Sequence, residues 1–329
     1  MTEGQAFVAD EGLLRAARPY KAELLGRMFA LDAAVEGPLA GRIPAGSNVV
    51  GVGYGVKVTA GSGVSEGPCV RVYVRAKVPA RELAASETVP GEVNGLPTDV
   101  VPVGEVIARS EGPSRSPVPC GVSVGHYRIT AGTLGCLVRR RGEDGEERYI
   151  LSNNHVLADS NAGSRGDPVL QPGPADGGDP EKPIAFLSDY EPIDFSGANT
   201  VDAAIAALID PDSVRPEIIS IGRVEQPPLR AALYESVRKR GRTTLHTMGV
   251  VVDLAADINV GFDRRTAAFE DQIAVTDVGG PFSSGGDSGS LVVDAVTRRP
   301  VGLLFAGGES ITFVNPIDPV LDRFGAEIL

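Results

Sequence analysis

Apolar residues recur at helical spacing near the start of the chain, at Leu13, Leu14, Ala17, Leu24, Leu25, Met28, Leu31 and Ala34, with Arg15, Arg18, Lys21 and Arg27 between them. This spacing predicts an amphipathic helix over residues 12–36, disturbed at Pro19, whose ring has no N–H to give the helix ladder. Packing against its own protein is the plain use of such a stripe. A contact between copies of the chain, giving a homo-oligomer through the N-terminal region, is the alternative. A membrane-surface role is the weakest of the three. Residues 37–46 read as a linker, and beyond it the period shortens to two. Residues 48–59 and 69–78 alternate as strands, 79–86 can form a short helix, and Asn94-Gly95 turns the chain into the apolar run 100–106. We read 1–47 as helix and linker, and 48–110 as a small α+β domain. Gly51, Gly53 and Gly55 lie inside a strand with no helix after them, so they are strand glycines and not a dinucleotide-binding loop.

A Pro/Ser/Gly-rich stretch, 110–118, leads into a region, 111–329, patterned almost wholly as short strands. A first set is expected at 121–130, 133–141, 146–152, 167–171, 184–187 and 201–209, with Asp144-Gly145 turning one hairpin. The Pro/Gly/Asp-rich stretch 171–183 reads as solvated surface loop, with a calcium site as the minor alternative. A second set follows at 218–224, 234–240, 247–260, 272–276, 290–294, 300–305 and 311–314, and 318–329 reads as a closing helix. Two sets of about six short strands predict a mainly β fold of two packed six-stranded antiparallel barrels with a C-terminal helix.

Composition agrees with this pattern. The 41 Gly, 25 Pro and 5% aromatics imply many tight turns around an aliphatic core, and 329 residues suffice for about two domains. A formal charge of -12 argues against non-specific nucleic-acid or anionic-membrane partners. No basic stretch leads into an apolar run at the N-terminus, and no run approaches the roughly 20 residues of a spanning helix, so a cytoplasmic location is expected. Cys69, Cys120 and Cys136 lack metal-ligand spacing and are expected to be reduced thiols, with a Cys120–Cys136 disulfide as the alternative. Neither a metal nor another cofactor is expected.

The chemistry-bearing stretch is Ser283-Ser284-Gly285-Gly286-Asp287-Ser288-Gly289-Ser290. A serine between glycines suits a tight turn on which backbone N–H groups approach a reacting carbonyl, although Gly/Ser turns are also common without chemistry. A base for such a serine must come from three histidines. His155 follows Ile150-Leu151-Ser152-Asn153-Asn154, where an apolar strand ends in polar residues, which places it at the mouth of a barrel. His126 lies within a strand and His246 follows a turn, and both read as structural. Asp202 heads the apolar run Ala203-Ala204-Ile205-Ala206-Ala207-Leu208, where a carboxylate without a partner is costly to bury.

The order His155, Asp202, Ser288, with the Gly-Asp-Ser-Gly turn and Ser-Asn-Asn-His, resembles the chymotrypsin/trypsin-like serine peptidases in an intracellular bacterial form, over residues 120–329. The resemblance implies a serine endopeptidase acting on a protein or peptide substrate. Ser288 is then the nucleophile, His155 the base, Asp202 the orienting acid, and the N–H groups of Gly286 and Ser288 the oxyanion hole. It also implies a specificity pocket around Phe282, Ser283 and Ser284, walled by Phe305, Ala306 and Gly307. No acid stands at its expected base, so a small or apolar residue before the scissile bond is expected. No basic residue precedes an Ile-Val-Gly-Gly-type sequence, so Asp287 must find a partner other than a freed N-terminus, and activity without chain cleavage is expected. Asn153-Asn154 and Phe305 depart from the family pattern, the latter replacing a serine that supports the aspartate. A scaffold built on a peptidase fold and an esterase-like hydrolase are the competing readings.

Overall fold

The computed structural model describes residues 11–29, 43, 47–59, 63–83, 88–104, 117–142, 147–262 and 265–329. The linker expected at 37–46 (apart from Ile43), the helix expected beyond Phe29, the Asp144-Gly145 turn and most of the 110–118 stretch lie outside them.

Six antiparallel strands close the second barrel: Ser236–Gly241, Leu245–Phe262, Arg265–Asp277, Ile311–Pro316, Pro300–Gly307 and Leu291–Asp294, the last returning to the first. Val237, Val251, Ile273, Val275, Val292, Leu304 and Val314 fill its interior, all but Leu304 being β-branched side chains that suit a pleated surface. The first barrel runs Cys136–Arg140, Tyr149–Ser152, Ala204–Leu208, Ala185–Tyr190, Pro168–Leu170 and Ser123–His126. Its remaining gap is bridged where Gly121 N donates to Leu134 O at 2.7 Å and Leu134 N to Val122 O at 2.8 Å. One apolar core takes in Leu137, Ile150, Leu151 and Ile205 of this barrel together with Leu291, Val293 and Leu303 of the other. This is the expected chymotrypsin-like pair of barrels.

Several elements differ from the sequence expectation. The closing helix is only Ile317–Phe324; Gly325, at φ +57°, stops it, and Ala326–Ile328 returns as a strand on Cys136–Arg140. Ala326 and Ile328 are buried on either side of Glu327, a period of two too short to read in the sequence. The strand expected at 218–224 is instead Val214–Ile218, parallel to Val118–Cys120, with Ile218 and Gly222 closing a turn. The hairpin Leu245–Phe262/Arg265–Asp277 extends well beyond the expected 247–260 and 272–276, because its charged outer half is paired like the rest. The 171–183 loop is not wholly solvated: the Asp176 side chain is 10% exposed and ion-paired.

That outer half carries the N-terminal region. Helix α1 (Glu11–Phe29) accommodates Pro19 and lays Leu24, Leu25 and Met28 on Val49, Val52, Val70 and Val72. Strands β1 (Val49–Thr59), β2 (Gly63–Val74), β3 (Glu92–Val93) and β4 (Leu96–Pro102) form a sheet ordered β1-β2-β4-β3. The helix expected at 79–86 is a single 3-10 turn, Ala80–Glu82; residues 84–87 lie outside the description. β1 continues the sheet into the second barrel, pairing Gly51 with Ile258 and Gly55 with Asp253. Polar groups are buried along this seam. Lys21 Nζ lies 2.7 Å from Asp257 and donates to Ala255 O at 2.6 Å, while Tyr73 donates to Asp253 at 2.9 Å.

The three cysteines are free and buried, and burial pushes the Cys69 and Cys120 thiols up to about 12, which leaves them unreactive. Among the described residues no helix is long and apolar enough to cross a membrane.

Candidate active site

His155 sits in the one-turn helix Asn154–Leu157 that follows the strand Tyr149–Ser152. That strand pairs with Ala204–Leu208, Ser152 opposite Ala204, so the register brings the residues just beyond each strand end together. His155 Nδ1 lies 2.5 Å from Asp202 Oδ2, and the backbone N–H of His155 donates to Asp202 Oδ1 at 3.3 Å. Asp202 is fully buried. Two asparagines hold its backbone. Asn153 Nδ2 donates to Asp202 O at 2.7 Å, and Asp202 N donates to Asn315 Oδ1 at 3.0 Å. Asn315 is fixed in turn by donating to Gln272 at 2.6 Å. Asn153 thus stiffens the acid, to which the apolar side chain of Phe305 can offer no hydrogen bond. A carboxylate at Nδ1 favours the tautomer that carries its proton there, and in that tautomer Nε2 is free to accept. Nε2 is buried and has no hydrogen-bond partner among the described residues. The edge of the ring faces Phe262, centroids 5.9 Å apart.

Ser288 lies on the turn between Phe282 and Leu291, and the turn is built around Asp287. This fully buried carboxylate accepts from Thr243 N at 2.9 Å, Ser284 N at 2.9 Å and Thr244 Oγ1 at 2.6 Å. Its ion partner is Lys239, equally buried, with Nζ at 3.2 Å. Lys239 also donates to Thr244 Oγ1 and to Leu245 O, the latter at 3.2 Å. Burial holds its ammonium below the ordinary value, against the opposing pull of Asp287. Asp287, the acid before Ser288, is therefore satisfied by other residues of the chain.

The rest of the turn is tied to the first barrel through Thr133. Its N–H donates to Ser288 O at 2.7 Å and its hydroxyl to Gly286 O at 2.6 Å, while Ser152 Oγ donates to Thr133 O at 2.7 Å. The strand leading to His155 and the turn carrying Ser288 meet there. Glycine is obligatory at 289: φ is +91°, and a Cβ would lie 2.0 Å from Ser152 Oγ. Gly286 has φ +104°, which points its peptide where an L-residue rarely could. In this geometry Ser288 Oγ donates to Phe305 O at 3.4 Å, and the Ser288–His155 hydrogen bond is not made.

Of the expected pocket residues, Ser283 and Gly307 are brought together, a Cβ on Gly307 falling 3.0 Å from Ser283 Oγ. Ser283 also bonds Thr312 Oγ1 at 2.6 Å, a residue that the sequence did not single out. The side chains of Phe282, Phe305 and Ala306 are packed into apolar clusters, Phe305 against Phe269 with centroids 4.8 Å apart, so only their backbone can meet a ligand. Ser284 directs its N–H to Asp287 at 2.9 Å. His126 is buried against Asp167 at 3.0 Å. Burial and the flanking Arg238, Lys239 and Arg240 lower the pKa of His246. Neither enters the site. Lys239 was missed among the charges of Arg238-Lys239-Arg240, yet the strand's period of two puts it in phase with buried Val237 and Gly241.

A scan against protein-family models finds no match. Among curated proteins, Protein NARROW LEAF 1 of Oryza sativa subsp. japonica is 25% identical over 302 residues, 78% of this chain and 51% of the relative. The chain thus spans about half the length of that curated relative. Solved structures that align include Thermobifida fusca Protease A (TM-score 0.46, 19% identity, 64% of this chain and 98% of that one). Cellulomonas bogoriensis chymotrypsin (0.44, 16%, 64% and 98%) and a glutamic acid specific serine protease (0.47, 16%, 64% and 100%) align similarly. At such scores and identities they decide nothing about the chemistry of the site.

Proposed function

We propose that the chain is a serine endopeptidase working through an acyl-enzyme. The observation that carries this reading is the His155–Asp202 pair, 2.5 Å apart with the acid fully buried, joined through Ser152 and Thr133 to the turn that presents Ser288. Ser288 Oγ attacks the scissile carbonyl carbon as His155 Nε2 takes its proton, and Asp202 stabilises the imidazolium. The N–H groups of Gly286 and Ser288 receive the charge that develops on the carbonyl oxygen. His155 then gives the proton to the departing amine, and water repeats the sequence on the acyl-serine. Ser283 and Thr312 offer hydroxyls, Gly307 leaves room beside them, and none of the three carries charge, which suits a small or apolar residue before the scissile bond. Because Lys239 already pairs with Asp287, the intact chain is competent without cleavage.

One observation favours a second reading. His155 Nε2 has no hydrogen-bond partner among the described residues, which suits a resting site completed by a substrate or partner, although catalytic hydrogen bonds often tighten only when a substrate binds. A fluorophosphonate probe separates the two. The intact chain should label at Ser288, and Ser288→Ala and His155→Ala should abolish labelling. Absence of labelling in the full-length chain, even with substrate peptides present, would sink the peptidase reading in favour of a scaffold.

A further inference from the structure

An ion pair outside the triad joins the first barrel to the turn that carries Ser288. Arg242 directly follows the strand Ser236–Gly241 of the second barrel. Asp176 ends a 3-10 turn, Pro174–Asp176, in a loop of the first. They meet as a planar fork, Nε to Oδ2 at 2.6 Å and Nη2 to Oδ1 at 2.5 Å, with side chains only 4% and 10% exposed. Asp176 is anchored in its own barrel by Ser123 Oγ, which donates to it and accepts from Gly173 N at 3.0 Å.

On its other side Arg242 leads into the nucleophile turn. Its N–H donates to Thr133 Oγ1 at 3.1 Å, the hydroxyl that donates onward to Gly286 O. The next residue, Thr243, gives its N–H to Asp287 at 2.9 Å and its hydroxyl to Gly285 O. In a trans peptide the C=O and N–H point in opposite directions. Tying down Gly285 O therefore fixes where the Gly286 N–H aims, and that N–H is the donor assigned above to the oxyanion.

We propose that Arg242 and Asp176 are positioning residues: their fork sets the 242–243 backbone against the first barrel and so holds the 285–288 peptides in the orientation that stabilises the oxyanion. The fork needs a guanidinium, because an ammonium is a point charge that cannot match two carboxylate oxygens at once. The kinetic consequence rests on the peptidase reading; the effect on the backbone does not.

The test uses the full chain with Arg242→Gln, Arg242→Lys and Asp176→Asn. Amide hydrogen exchange over residues 283–291 should accelerate at least about 10-fold in Arg242→Gln, with the strand Tyr149–Ser152 unchanged. Peptide hydrolysis should lose about 10- to 100-fold in kcat with KM nearly constant, in line with a misdirected oxyanion donor. Affinity for a peptide aldehyde should fall in parallel, and Arg242→Lys should lie between wild type and Arg242→Gln. Unchanged exchange over 283–291, or a loss spread evenly over both barrels, overturns the proposal. If Arg242→Gln fails to fold, Asp176→Asn, which retains an acceptor for Ser123, carries the same comparison. A wild-type chain that does not label with fluorophosphonate removes the kinetic reading alone, and the exchange result still decides the clamp.

Discussion

Lys239 and Asp287 bury opposite charges 3.2 Å apart with no exposure on either side chain. Such a pair gains little over an apolar replacement, but breaking it leaves an uncompensated charge. Lys239→Met should therefore cost about 3–5 kcal/mol in urea unfolding. Adding Asp287→Asn should recover part of that loss, whereas simple addition of the two penalties would show that the charges do not interact. That Asp287 needed an internal partner was legible in the sequence, because no cleavable N-terminal motif supplies one. Which residue it is was not, because pairing across a barrel depends on register. The proposed triad was easier to nominate from the sequence: three histidines leave few choices, and the strand end before His155 marks the one at a barrel mouth. The supporting Asn153 and Asn315 act through their amide groups on the Asp202 backbone, and no local pattern advertises such contacts.

At the scale of elements, the strand Leu245–Phe262 matters most. Leu245 O at its start accepts from Lys239, the ion partner of Asp287, its middle carries Asp253 and Asp257 against the N-terminal region, and Phe262 ends it beside His155. The sequence shows this strand to within two residues at each end but only the later part of its partner, since the first half of Arg265–Asp277 mixes charges and apolar residues too irregularly to read. Asp253 illustrates the cost of the seam. Full burial raises its pKa from 3.8 to about 6, a cost that Ala255 N–H, Arg71 and Tyr73 only partly offset. The folded state thus holds this proton more tightly than the unfolded chain. Its contribution to stability is complete below about pH 4 and is lost as the pH rises through about 6. Asp253→Asn should accordingly gain on wild type at pH 8, by about 2–3 kcal/mol, and the gain should vanish by about pH 4. A stability difference independent of pH would show that Asp253 is ionised throughout.

At the scale of the molecule, the N-terminal sheet and the second barrel are one hydrogen-bonded surface, with Val50, Tyr73 and Val103 sharing a core with Phe262, Phe305 and Phe313. Two barrels were legible from strand spacing. The attachment was not, because β1 and its partner are far apart in sequence and their glycine-rich and acidic faces announce nothing alone. Residues 111–329 expressed by themselves should expose the edge at Asp253–Ile258 and hollow out that core. They should aggregate, or unfold at clearly lower urea than the full chain, as light scattering and urea titration would show. A fragment as stable as the whole would mean that the sheet adds nothing. The shared strand also constrains how the protein is born. Gly51 leaves the ribosome long before Ile258, so β1 must wait, with one edge unpaired, while the first barrel and the opening strands of the second are translated. An early segment is thus completed late, and until then its free edge is open to mispairing with other strands, a hazard set by topology.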